Sequence, residues 1–204
     1  MKSKTIRQFD KWSHTYDTGI WRHYFISSYK YVLANVKPYL NKQSLVLDVG
    51  CGTGNFDAML SNTVGVKVIG IDYSQEMINY AIKNNYPCKA NVFYCSDFGS
   101  FKISERFSAI FFLNCFHHVD EGLDALKKAR ELLKKDGLLV ILDPFCDGAI
   151  RSAWTTFLKI FFKEPEAKYY REEEVHTRLT RCGFKPIVKK SFIYFTLLTI
   201  AQKD

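Results

Sequence analysis

One eleven-residue stretch limits the fold more than any other: Leu45-Val46-Leu47-Asp48-Val49-Gly50-Cys51-Gly52-Thr53-Gly54-Asn55. An apolar run ends in three alternating glycines. Helical apolar spacing follows at Phe56, Met59 and Leu60. That is a strand, a turn and a helix, the opening unit of a nucleotide-binding α/β sheet. Glycines in the turn let a ligand approach the backbone where a Cβ would block it. The spacing is G-x-G-x-G, whereas the dinucleotide fingerprint of dehydrogenases is G-x-G-x-x-G or A.

The rest of the chain repeats this alternation. Apolar runs predict strands at 44–49, 66–71, 90–94, 107–113 and 138–143. Helical spacing predicts helices at about 55–62, 74–84, 120–134 and 172–182. Gly137 and Gly183 read as helix-ending glycines. Runs at 185–193 and 195–202, parted near Tyr194, predict an antiparallel pair at the sheet edge. The expected fold is α/β: a Rossmann-like, seven-stranded, mostly parallel sheet with one antiparallel edge strand and helices on both faces. At 204 residues the chain reads as one domain, 1–204. Residues 1–37 read as an aromatic, helical N-terminal extension. Residues 144–170 read as an insertion on the side of the sheet where substrates bind.

Composition narrows the function class. The N-terminus is charged and polar, without the apolar core of a secretory signal. No run approaches the ~18 apolar residues of a membrane span. Six cysteines lack metal-ligand spacing, so no metal site is expected and they read as reduced thiols of a cytoplasmic protein. The formal net charge is +8, which permits nucleic acid as a partner. Lys127, Lys128, Arg130, Lys134 and Lys135 fall on one predicted helix, where a solvated face explains them, and no RNA-binding motif is present. Nucleic acid is therefore the disfavoured partner, and a small molecule the favoured one.

Acidic residues stand at the ends of the predicted strands. Asp48 ends the first. Asp72 ends the second, 18 positions after Gly54, where a carboxylate can accept both ribose hydroxyls. Asp97 follows the third, with Phe98 beside it, as candidates for an adenine amine and ring. The fourth strand empties into Asn114-Cys115-Phe116-His117-His118-Val119. His117 and His118 are candidate bases because histidine titrates near neutral pH. Asp143, at the end of the fifth strand, is a third catalytic candidate.

These residues resemble the class I S-adenosylmethionine (SAM)-dependent methyltransferases, in particular the group around the ubiquinone and menaquinone-biosynthesis enzymes. The matching segments are Val46 to Gly54, Gly70-Ile71-Asp72-Tyr73-Ser74, Ser96-Asp97, Phe116-His117-His118-Val119, Leu132 to Leu142 and Leu179 to Phe184. An N-terminal Phe9-Asp10-Lys11-Trp12…Tyr16-Asp17 also matches, so the resemblance covers about residues 9–202. It implies SAM as cofactor and methyl transfer as reaction. It implies that Gly50, Cys51, Gly52 and Gly54 pack against the methionine and ribose part, with Asp48 near the amino group. Asp72 would bind the ribose; Tyr73 and Met77 would lie near adenine; Asp97 and Phe98 would meet its amine and ring. Asn114 and Tyr16 would serve the methionine end.

The acceptor side is read from the insertion. Ile150, Ala153, Trp154, Phe157, Leu158, Phe161 and Phe162 recur at helical spacing, flanked by Lys159 and Lys163. Trp154, Phe157, Tyr169 and Tyr170 are the candidate acceptor contacts, for a small apolar, aromatic or lipid-like molecule. The same helix suits a core face or peripheral contact with a membrane. An RNA methyltransferase and a non-catalytic SAM-binding module are the alternative functions. A dehydrogenase is disfavoured by the glycine spacing. Nothing in the sequence sets an oligomeric state.

Overall fold

The computed structural model describes residues 10, 19–85, 90–119, 122–161 and 167–204. Tyr16, Cys88 and Phe162 lie outside them, as does most of the expected N-terminal motif. The chain divides into two compact units, Met1–Ser108 and Ala109–Asp204.

The first unit opens with helix α1 (Gly19–Val36). Three parallel strands follow: β1 (Leu45–Val49), β2 (Lys67–Asp72) and β3 (Asn91–Cys95). Between them run α2 (Asn55–Val64) and α3 (Gln75–Asn84). In β1 every residue after Leu45 is buried, as expected for a strand covered on both faces. Its register sets Asp48 beside Gly70 of β2, and Asp72 beside Cys95 of β3. Ser74 caps α3, its hydroxyl accepting from the Met77 amide at 3.2 Å. The inner face of α3 is Met77, Ile78 and Ala81.

The second unit holds most of β4 (Phe107–Leu113), then α4 (Gly122–Leu132), β5 (Leu133–Pro144), α5 (Gly148–Phe161), α6 (Glu172–Arg181), β6 (Phe184–Phe192) and β7 (Thr196–Lys203). All seven strands form one sheet in the order β3-β2-β1-β4-β5-β7-β6. The expected antiparallel pair is β6 and β7, joined by a turn at 193–195. Strand β7 also runs antiparallel to β5, so the reversed strand lies one place in from the edge. Pro186 sits on edge strand β6 where the register shifts, a position that needs no ladder N–H. Gly183, at φ 72°, follows the end of α6 as expected.

Gly137 differs from its reading. Helix α4 already ends at Leu132, and Gly137 lies within β5. The left-handed residue is Asp136, at φ 61°. Glycine follows it because a Cβ there would stand 2.9 Å from the Lys134 carbonyl oxygen. Lys127, Lys134 and Lys135 are exposed, the last two in β5 and not on the predicted helix. No helix among the described residues is long and apolar enough to cross a membrane.

The Ser74 cap makes a direct stability prediction. Ser74→Ala removes the acceptor for the Met77 amide and should cost ~1 kcal/mol, a fall of ~2–4 °C in Tm for a chain of this size. Thermal unfolding followed by circular dichroism measures it; an unchanged midpoint would deny the cap its role.

Candidate functional site

In the first unit the glycine turn is tied down by backbone and side-chain bonds. The Gly50 and Cys51 amides both donate to the Ile71 carbonyl, at 2.8 and 3.0 Å. Gly50, Gly52 and Gly54 all have positive φ. The Gly52 amide donates to Asp72 Oδ2 at 3.0 Å, and the Ser74 amide to Asp72 Oδ1 at 2.9 Å. Asp72 therefore joins the turn to the start of α3. Each of its oxygens keeps lone-pair capacity for a further donor such as a ribose hydroxyl. Burial pushes its carboxyl up to about 6, against the lowering effect of those amides.

Gly54 has a packing reason beyond ligand approach. A Cβ there would stand 2.6 Å from Asn85 Nδ2 and 3.0 Å from the Ala81 Cα. That amide donates to the Gly54 carbonyl at 3.0 Å, and Asn84 Nδ2 donates to the Thr53 carbonyl at 2.9 Å. Asn91 Nδ2 in turn donates to Asn85 Oδ1 at 2.7 Å, and Ser61 Oγ to Asn91 Oδ1 at 2.6 Å. Sequence reasoning missed this chain of amides. Its one visible trace is the Asn84-Asn85 pair at the end of a helix, which reads as a C-cap.

Asp57 was missed as well, because an acid in a first helical turn reads as a partner for the helix dipole. It is fully buried, and Asp48 is 3% exposed. Asp48 Oδ1 and both Asp57 carboxyl oxygens lack a hydrogen-bond donor among the described residues. The two carboxyls interact with each other, and burial drives both upward: Asp57 to about 7, Asp48 well above the usual carboxylate range. Two interacting buried carboxyls disfavour the doubly ionised state. The Cys51 thiol, pushed up by burial, feels Asp57, Asp72 and Asp48.

The other cofactor candidates are placed as follows. Tyr73 is half-buried. Met77 is 1% exposed and belongs to the inner face of α3. The Asp97 carboxylate closes a turn, accepting from the Ser100 amide at 3.2 Å and the Ser100 hydroxyl at 2.7 Å. Phe98 is buried.

The second unit gathers a different set. Asn114 follows β4 in the left-handed region, φ 56°, with its amide donating to the Leu142 carbonyl at 2.7 Å. His117 and Asp143 are both buried and form a pair. Their ring-to-carboxylate bond, Nδ1 to Oδ1, is 2.8 Å, and the His117 amide donates to Asp143 Oδ2 at 3.1 Å. A carboxylate that accepts at this bond places the hydrogen on Nδ1 and leaves the lone pair on Nε2. His118 lies 4.1 Å from His117 between ring centroids, and Tyr169 stacks on His117 at 4.8 Å. Burial, and then the neighbouring His117, hold His118 well below the usual histidine range, so it is neutral near pH 7. The Lys168 amide donates to the His117 carbonyl at 2.8 Å, which ties 167–170 to the histidine segment.

Of the four acceptor-side aromatics, Tyr170 does structural work. It packs on Phe116 at 5.7 Å and lies under Arg178 at 4.8 Å. Trp154 and Phe157 belong to one aromatic row: Phe195–Trp154 at 4.8 Å, Trp154–Phe157 at 5.4 Å and Phe157–Phe161 at 5.4 Å. Helix α5 buries only Thr155 and Leu158, and Ile150, Phe157, Ile160 and Phe161 are exposed. The helix thus packs on the protein along a narrow strip and leaves an apolar flank uncovered among the described residues.

Comparison with known proteins gives the class first. Residues 46–137 match the model of a methyltransferase domain family, and they contain the glycine turn, Asp72, Asp97 and the histidine pair. The resemblance to class I SAM-dependent methyltransferases holds in domain and in fold. An uncharacterised methyltransferase of Bacillus mycoides is 35% identical over 142 residues, which cover 66% of this chain and 65% of that protein. The chain thus spans a little under two thirds of that relative's length. A complex of the Haloferax volcanii Trm112 methyltransferase activator with the putative methyltransferase superposes with a TM-score of 0.83, at 17% identity over 95% of this chain and 96% of that one. Magnesium protoporphyrin IX methyltransferase from Synechocystis, with S-adenosylhomocysteine bound, gives 0.75 at 19% identity, covering 96% and 94%. These two likenesses speak for the fold.

The acid pair makes stability depend on pH. The Asp57 carboxyl titrates near 7 in the folded chain and near 4 when unfolded. Between those values the folded state binds the extra proton, so stability falls as pH rises through the window, by at most ~1.4 kcal/mol per unit for one group. Asp72 acts in the same direction up to about pH 6. From pH 6 to 7.5 the ligand-free protein should therefore lose stability in urea titrations, and Asp57→Asn should lose distinctly less. Parallel curves for the two proteins would remove the shared proton.

Proposed function

We propose that this protein is a methyltransferase that takes the methyl group of SAM to a small apolar or aromatic acceptor. The domain match at 46–137, the relatives and the sequence resemblance all support the reaction class. The fit of SAM rests on the first unit. Its turn is of the G-x-G-x-G type, Asp72 retains acceptor capacity, and no donor among the described residues reaches Asp48 Oδ1 or the Asp57 carboxyl, which suits a cationic ligand and opposes a pyrophosphate. Gly50, Cys51, Gly52, Gly54 and Asp48 would hold the methionine end, with Asn114 and Tyr16. Asp72 would hold the ribose, and Tyr73, Met77, Asp97 and Phe98 the adenine. When bound, SAM supplies a methyl group on a sulfonium, already activated for displacement.

The observation that carries the acceptor-side reading is the buried His117–Asp143 pair. Asp143 fixes the ring and its tautomer and would stabilise the imidazolium. His117 Nε2 would then take the proton that an acceptor hydroxyl or amine loses on methylation. Asp143 is thereby a positioning residue, and His118 a neutral neighbour that keeps the site free of a second positive charge. Trp154, Phe157 and Tyr169 offer flat apolar surface to the acceptor. The large tetrapyrrole named for the Synechocystis neighbour fits the idea of an aromatic acceptor.

Candidate acceptors screened with the protein and SAM, with S-adenosylhomocysteine release as the readout, test the reaction. On a responsive acceptor, His117→Gln should lower kcat by ~10²–10⁴ with SAM affinity unchanged. Asp143→Asn should lower it less and shift the pH profile. An equal loss of SAM affinity and turnover in His117→Gln would make the histidine structural.

A lipid-borne acceptor is a second reading, favoured by the uncovered flank of α5 with Arg151 and Lys159 as its only charged residues. Under this reading Phe157→Ser should weaken sedimentation with phosphatidylglycerol vesicles several-fold and leave SAM affinity alone. Wild-type protein that ignores such vesicles would exclude it.

A further inference from the structure

Two buried carboxyls, Asp48 and Asp57, stand beside the glycine turn. Asp48 is the last residue but one of β1 and Asp57 stands in the first turn of α2, so the two flank the turn at Gly50–Gly54 along the chain. Among the described residues no donor reaches Asp48 Oδ1, Asp57 Oδ1 or Asp57 Oδ2, all of which are buried. Among the described residues, the charged or titratable groups that act on the pair are acidic: Asp48 and Asp57 on each other, and Asp72 on Asp48. Cys51, in the turn itself, is held in its neutral thiol form by burial and then by the same three carboxyls. Asp10 acts one step further out, on Asp72. Burying two negative charges with no cation is strongly unfavourable, whereas one negative charge and one proton shared between two carboxyls is not.

We propose that Asp48 and Asp57 work as one acid pair, which keeps a proton when no cofactor is bound and releases it when the ammonium of the cofactor's methionine end binds beside Asp48. The proposal rests on the SAM reading of this site and adds Asp57 to it as a positioning residue. The proton balance is simple. A pair of charge −1 and a ligand ammonium of charge +1 become a doubly ionised pair beside that ammonium, and one proton passes to the buffer. Asp48 is the member that meets the ligand, since it is 3% exposed and Asp57 is fully buried. Asp57 acts through Asp48, by setting how much negative charge the site shows at a given pH.

The consequence is cofactor binding that weakens on acidification. Below about pH 7 the shared proton must be expelled at each binding event, so affinity should fall by up to tenfold per pH unit. Keeping below pH 7.2 avoids titration of the ligand's own amino group, which lies near 7.7–8.0 for an α-amine.

Isothermal titration calorimetry at pH 6.5, in two buffers of different ionisation enthalpy, counts the protons released. SAM and S-adenosylhomocysteine should each release more than about half a proton per site. Adenosine, which lacks the methionine end, should release less than about a third, this residue coming from Asp72. Asp57→Asn keeps the shape of the side chain but has no proton to give. With Asp48 then raised by burial and Asp72 alone, SAM affinity should depend distinctly less on pH between about 6.2 and 7.2 than in the wild type. Equal proton release for SAM and adenosine, or release below about a third for SAM, overturns the proposal. So does an Asp57→Asn protein as pH-sensitive as the wild type. Should that variant fail to fold, the wild-type proton count still decides. Absence of SAM binding at every pH would instead defeat the cofactor reading itself.

Discussion

The Asp72 carboxylate accepts one backbone amide on each oxygen, from Gly52 and from Ser74. With this contact one side chain fixes the glycine turn of β1–α2 against the start of α3. The turn has no side chains of its own to hold it, apart from Cys51 and Thr53. Its shape is therefore imposed by neighbours: the Ile71 carbonyl, the Asp72 carboxylate, and the amides of Asn84 and Asn85. A turn held in this way would lose little entropy on docking a ligand.

The two units carry different chemistry. In the first, carboxyls are buried with no cationic side chain acting on them among the described residues, and burial raises Asp48, Asp57 and Asp72 together. Such a cradle would favour a positively charged ligand over an anionic one. In the second, a carboxylate is matched to a histidine, and a neighbouring histidine is kept neutral. Carboxylates without partners attract a cation; a carboxylate with a histidine orients a proton acceptor. The separation of these arrangements along the chain agrees with a reaction that needs one cofactor and one acceptor.

Much of the fold was legible in the sequence. The runs at 107–113 and 185–193 were recognisable because strands covered on both faces are continuous apolar segments, and edge strands alternate. The turn near Tyr194 followed from the break between two apolar runs. Gly137 was misread because the helix ended five residues sooner, at Leu132, and Asp136 took the left-handed position. Glycine after a helical pattern does not reveal whether it turns the chain or merely avoids a carbonyl. Asp143, readable as a turn residue before Pro144, proved to be bound to His117 across 26 positions.

By itself the sequence determined the order of strands and helices, the glycine turn, and Asp72 at the end of β2. These are properties of neighbours along the chain: periodicity, capping and spacing act over a few residues. Only the tertiary structure decided the partners. Asn85 reaches Gly54 across 31 positions, and His117 reaches Asp143 across 26. Asp57 becomes half of an acid pair because the glycine turn folds the start of α2 back beside the end of β1. Side chains that meet through packing leave no periodic mark, since what joins them is the distance between elements, and that distance is set only when the core closes.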